Sequence, residues 1–199
     1  MGLTTNNLRH AIIAISENID VTGELLNELD GKLGDGDLGV TMINGFNNMR
    51  AIADELPTDV GQACMQAARA MTKVSGSSFG TLMGIALMAV AKQTKGETSV
   101  GWSHMSDLVK AALEAMISRG GASLGDKTVL DSLEAIRTAC ADLDTPEALL
   151  RSARDASAAA LAEFRDKQCK IGRARIFGGQ TVGLDDPGMV AVNEMLGAL

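Results

Sequence analysis

Apolar residues recur every three or four positions along almost the whole chain, and that spacing confines it to a helical fold. Leu8, Ala11, Ile12, Ile15 and Ile19 mark one helical face. Leu25, Leu26 and Leu29 predict a second, short helix that stops at Asp30-Gly31. Val40, Ile43, Phe46 and Met49 predict a helix running to about Glu55, and residues 60–74 predict the next, with Ala67, Ala70 and Met71 on its face. Ser75-Gly76-Ser77-Ser78 breaks the pattern, and residues 81–92 form the most apolar segment, expected as a central helix. Residues 106–119 are amphipathic and end at Gly120-Gly121. Residues 127–141 and 146–170 predict two more helices, the second with Thr145 as N-cap and Pro146 at the first helical position. The last helix is expected over residues 187–196, giving eight to nine helices and no strand. The loop over residues 171–186 is long for a compact domain, as functional or disordered loops are. With no repeat or linker, residues 1–199 read as one domain.

Composition supports the all-α class. Aromatic residues are only 3% of the chain, with no Tyr and a single Trp, whereas Ala, Leu and Met are plentiful. Sandwiches and barrels of strands lean on aromatic and β-branched residues, and helices on the residues found here. The formal net charge of -7, without a basic run, excludes a nucleic-acid polymer as partner. A small anion would need a metal, helix N-termini or a few basic side chains to compensate its charge. Cys64, Cys140 and Cys169 lie far apart with no CxxC pair, which predicts reduced thiols and a cytoplasmic setting. The N-terminus carries no basic-then-apolar signal, and the longest apolar stretch, residues 82–91, is too short to cross a membrane.

The segment LDGKLGDGDLG, residues 29–39, is the most informative one. Three carboxylates and four glycines fall between residues 30 and 39. Glycines allow tight backbone paths, so Asp30, Asp35 and Asp37 can converge, and hard cations such as Mg²⁺ take carboxylate oxygens. Residues 34–39 also match GxGxxG, but a predicted helix precedes them instead of a strand, and two aspartates would face the pyrophosphate. An EF-hand loop starting at Asp35 would need Gly at its sixth position, where Val40 stands. A capped turn explains the residues too, with Asp30 as a helix stop and Asp35 or Asp37 as N-cap of the next helix. Spacing alone leaves metal site and capped turn both open. In Gly125-Asp126-Lys127-Thr128 an acid separates the glycine from the lysine, so no P-loop is present, and Asp126 reads as an N-cap.

LDGKLGDGDLGVTM (residues 29–42) resembles the metal-binding turn of the nucleotide-binding, DhaL-type subunit of dihydroxyacetone kinases. SRGGASLGDKTVLDSL (residues 118–133) resembles that family's segment ending in GDKT-x-x-D. GRARIFGGQTVGLDDPG (residues 172–188) is similar to its arginine-containing capping loop and terminal DPG. The three blocks stand in the family's order and spacing, so the resemblance covers nearly the whole chain.

The resemblance implies an antiparallel barrel of about eight helices with ADP or ATP at one end. It implies that Asp30, Asp35 and Asp37 hold two Mg²⁺ ions bridging the phosphates, and that the helix start at Gly39 and Thr41 adjoins them, with a hydroxyl from Thr41. Ser77 and Ser78 correspond to a second phosphate turn, with a plain Ser-rich N-cap as the alternative. Gly120 and Val129 correspond to the adenine pocket, Arg173 to an arginine assisting transfer, and Asp186, Pro187 and Gly188 to a turn packing on the nucleotide. Leu38 departs from the family, where many relatives carry His. Neither His10 nor His104 lies in a family motif, which argues against a phosphohistidine relay. The implied reaction is phosphoryl transfer to dihydroxyacetone or a tetrulose held on a separate DhaK-type subunit, which would also bring the general base. Family precedent also allows a nucleotide-loaded module docking on a transcription factor, or a phosphotransferase-system subunit that retains its ADP. A homodimer is compatible with all three.

Overall fold

The computed structural model describes residues 2–73 and 77–199. Among them are eight α-helices: α1 (Thr5–Leu33), α2 (Leu38–Ala51), α3 (Val60–Thr72), α4 (Ser78–Gln93), α5 (Met105–Gly120), α6 (Val129–Ala139), α7 (Pro146–Phe164) and α8 (Pro187–Gly197). Each packs against the next in sequence, and α8 packs against α1, so the helices close into a ring. The all-α barrel expected from the sequence is the observed architecture. One core cluster joins α1, α2, α3 and α8 through Ile19, Leu26, Met42, Phe46, Met71 and Ala191. A second joins α5, α6, α7 and α8 through Leu113, Met116, Leu130, Ile136, Leu149 and Val192.

Several expectations need correction. The two helices expected before residue 30 are one 29-residue helix, α1. It continues through Gly23 because that is where α2 crosses: a Cβ at Gly39 would overlap the Gly23 carbonyl oxygen. It also runs past Asp30-Gly31 to Leu33, so Asp30 sits in its last turn. Helix α7 ends at Phe164 instead of residue 170, and Arg173–Thr181 forms 3-10 turns broken at Gly178 (φ 54°). A short antiparallel ladder pairs β1 (Gly2–Leu3) with β2 (Val100–Gly101), Gly2 opposite Gly101 and Leu3 opposite Val100. Two-residue strands offer no alternation that a sequence could display. Val74, the expected end of α3, and Ser75 and Gly76, part of the expected break before α4, lie outside the described residues.

The expected caps at Thr145 and Ser77 are present, and Asp186 caps α8, each accepting from an amide three residues on. Asp126 does not cap α6. Thr128 does, in a capping box with Asp131, while Asp126 accepts from the Ser123 amide at 2.8 Å. None of the described helices is long and apolar enough to cross a membrane.

Candidate functional site

In a closed up-and-down ring, alternate helices begin at the same end. The N-termini of α2, α4, α6 and α8 accordingly meet the C-termini of α1 and α5 around one cavity of about 620 Å³. Amides at helix starts point toward the ring's end, a setting that favours an anion.

At the α1–α2 wall, Gly36 adopts φ 74° and turns the chain back on itself. Asp30 then reaches forward, its Oδ2 accepting from the Asp37 amide at 3.0 Å and the Leu38 amide at 3.3 Å. Asp30 therefore supplies the side-chain cap of α2, while Asp37, at the N-cap position, makes no capping bond. That leaves Asp35 and Asp37 exposed at the edge of the cavity. One carboxylate oxygen from each of Asp30, Asp35 and Asp37 falls within 4.8 Å of the others, the arrangement a metal ion would need. Desolvation, then the charges of Asp35 and Asp30, push the Asp37 carboxyl above its ordinary value, with Arg173 opposing them. Arg173, on the loop after α7, forms an ion pair with Asp35.

Across the ring, Leu82, Met116, Ala122, Val129 and Leu130 make an apolar wall beside Gly120, whose missing side chain leaves room against Leu82. Ser77 and Ser78 open α4 between the two walls, and Asp186, Pro187 and Gly188 open α8. Sequence reasoning did not single out the wall residues Leu82, Met116 and Leu130, because their helical spacing is that of ordinary core.

Eleven of the anticipated residues (Asp30, Asp35, Asp37, Ser77, Ser78, Gly120, Val129, Arg173, Asp186, Pro187 and Gly188) thus line a single cavity. Gly39 and Thr41 do not. Gly39 faces α1 at the helix crossing, and Thr41 is buried in the barrel with its amide already donated to Asp37 O at 2.9 Å. The intervening Val40 amide donates to Asn27 Oδ1 at 3.2 Å. Leu38, where the resemblance leads to His, is buried in the α1–α2 core and contributes only apolar surface.

Burial pushes the Asp186 carboxyl up to about 6, against the opposing effects of the Met189 amide and the Lys127 ammonium. A carboxyl raised in the fold makes the protein less stable as pH climbs from the unfolded value toward the folded one, because the folded state holds the proton longer. Asp186→Asn keeps an N-cap and removes the ionisation. Urea unfolding of the variant should show a gain of up to roughly 3 kcal/mol at pH 7.5 that vanishes below pH 4. A loss of stability at both pH values would contradict this origin of the shift.

The chain matches the family model described as "DAK2 domain" over residues 32–199. It is 34% identical to the PTS-dependent dihydroxyacetone kinase ADP-binding subunit DhaL of Lactococcus lactis, over 87% of this chain and 84% of that protein. With the PEP-dependent dihydroxyacetone kinase ADP-binding subunit DhaL of Escherichia coli it shares 27% identity over 98% of this chain and 96% of that one. The D-erythrulose kinase of Mycolicibacterium smegmatis is 31% identical over 92% of this chain, which spans only 33% of that enzyme. The fold matches the crystal structure of the dihydroxyacetone kinase from C. freundii in complex with AMP-PNP and Mg²⁺, with a TM-score of 0.73 at 22% identity over 100% of this chain and 34% of that one. Since the family model takes in residues 32–199, from within the glycine-rich turn through the last helix, the chain belongs to the DAK2 domain family.

Proposed function

We propose that this protein is the ADP- or ATP-binding subunit of a dihydroxyacetone-type kinase, with residues 1–199 acting as one nucleotide-binding domain. The observation that carries this reading is the juxtaposition of three carboxylates within 4.8 Å with a cavity whose far wall is apolar. An acidic chain of net charge -7 can hold a polyphosphate beside three aspartates only when cations reverse the local sign. Carboxylate oxygens suit Mg²⁺, and two divalent ions would more than offset the three carboxylates, leaving positive charge for the phosphates. The volume is within the range of cofactor-sized pockets. The relatives that match over nearly their full length are named as ADP-binding subunits.

In this reading Asp30, Asp35 and Asp37 hold Mg²⁺, which when bound neutralises charge on the phosphates. The apolar wall at Gly120 and Val129 takes the base. Ser77, Ser78 and the helix start at Asp186-Pro187-Gly188 flank the phosphates, and Arg173, paired with Asp35, offers its guanidinium to the group in transfer. Among the described residues the carboxylates of the cavity wall are committed to the triad and to the cap of α8, so we assign the general base for an acceptor hydroxyl to a ketose-binding, DhaK-type partner subunit. A cytoplasmic setting agrees with three free, buried cysteines, of which Cys64 is pushed up to about 11 by burial.

The test is reconstitution. The chain mixed with a cognate partner, Mg²⁺ and a phosphate donor should phosphorylate dihydroxyacetone or a tetrulose, and either subunit alone should give less than about 1% of that rate. Absence of partner- and ketose-dependent transfer across a ketose panel, with ATP and with a phosphotransferase-system donor, would overturn the kinase reading.

A further inference from the structure

The loop that carries Arg173 is closed at its neck by a side chain outside the cavity. Lys127 is 1% exposed, and its Nζ donates to the carbonyl oxygens of Arg165 at 2.9 Å, Lys167 at 2.8 Å and Thr181 at 2.8 Å. An ammonium has three donors, and all three are used. The acceptors lie on both arms of the loop, two just after α7 and one at the end of the 3-10 turns, so a single group draws the arms together. Other bonds complete the neck: the Gly183 amide donates to Arg165 O at 2.9 Å, and the Cys169 amide donates to Thr181 Oγ1 at 2.9 Å.

The Lys127 backbone adds a second observation. Its φ is 63°, left-handed for a residue with a side chain, and Asp142 is the one other non-glycine with positive φ among the described residues. Such a conformation costs about 1 kcal/mol or more and persists where surroundings impose it. Here it turns the ammonium under the loop while the next residues, Thr128 and Val129, go on to line the cavity. Exposed Lys170 makes a parallel tie, its Nζ donating to Gly125 O at 2.9 Å and its amide to Asp126 O at 3.2 Å.

We propose that Lys127 is a positioning residue that acts through Arg173: by clasping both arms of the loop to the start of α6, it fixes where the Arg173 guanidinium stands relative to the aspartate triad. The contact between Arg173 and Asp35 is then set from the opposite side of the ring, at the wall proposed for the base. The catalytic half of this inference rests on the kinase reading, whereas the structural half does not.

Two measurements on Lys127→Met separate these halves. Hydrogen exchange should rise at least about tenfold for amides in residues 165–183, with α2 and α3 unchanged. In the reconstituted kinase, kcat should fall by at least about tenfold while KM for the nucleotide moves less than about threefold. In an Arg173→Ala background the same substitution should lower kcat by less than about twofold, since a side chain acting through Arg173 has nothing left to position. Unchanged exchange in the loop, or losses that multiply across the two backgrounds, would overturn the proposal. Should Lys127→Met lack a cooperative melt, Lys170→Met carries the same measurements from an exposed site, with loop exchange expected to rise about threefold. Failure of the unmodified pair of subunits to transfer phosphate would count against the kinase reading alone, because the exchange result still decides the clasp.

Discussion

Gly39→Ala should lower the unfolding free energy by roughly 2–3 kcal/mol, measured by urea titration, although alanine is the better helix former. The position lies in the first turn of α2, where it meets α1 with no room for a side chain. A Cβ there would overlap the Gly23 carbonyl oxygen and press on Asn27 Oδ1. The obstacle is backbone, so no rotamer change relieves it, and α2 must move away from α1. Asn27 also receives the Val40 amide at 3.2 Å, so the same shift strains a bond that fixes the start of α2. By contrast, Gly121 ends α5 at φ 69° with open space around it, and Gly121→Ala should cost only its left-handed backbone preference, about 1 kcal/mol. Equal effects at the two positions would contradict close helix approach as the reason for Gly39.

Replacing Asp35 and Asp37 together by asparagine should weaken ADP binding in Mg²⁺ at least about 100-fold. Each lost charged contact is worth roughly 1.5–3 kcal/mol, and every 1.4 kcal/mol is a factor of ten. The substitution should have the opposite sign once metal is chelated. With no cation present, the two exposed carboxylates repel the phosphates, and asparagines do not, so the variant should bind ADP at least as well as the unmodified chain. Asp37→Asn alone relieves repulsion within the protein and leaves the Asp35–Arg173 ion pair in place. Desolvation and its acidic neighbours hold the Asp37 carboxyl above its ordinary value, so ionising it costs stability as pH rises, and this single variant without metal should melt higher at neutral pH. A melting temperature below that of the unmodified chain at neutral pH, without metal, would contradict that reading of Asp37.

Much of the fold was legible because helical periodicity is a local property. The faces at Leu8 to Ile19, Val40 to Met49 and Leu108 to Met116 needed only spacing to be read, and each became a helix of the ring. What escaped depended on partners distant in sequence. Asp30-Gly31 looks like a helix stop, yet α1 runs to Leu33 because α2 packs along it and Asp30 is needed three residues before its end. The ladder between Gly2–Leu3 and Val100–Gly101 is too short to leave a pattern.

The same division holds at the site. Asp30, Asp35 and Asp37 were readable as a cluster because they are neighbours in sequence, although spacing alone stood nearer to a capped turn than to a metal site. The structure divides those roles, giving Asp30 the cap and leaving the other two free of it. Gly39 was placed at the phosphates by analogy, and the structure shows that it also sits at a helix crossing. Lys127 drew notice only as a failed P-loop lysine. Its three acceptors are backbone carbonyls at least 38 residues away, and no side-chain pattern announces a carbonyl.

Calorimetric titration of ADP into the unmodified chain, once in excess Mg²⁺ and once in EDTA, tests the metal-bridged nucleotide site most directly. The triad's geometry predicts affinity at least about 100-fold tighter with Mg²⁺. Equal affinity in the two buffers would contradict it.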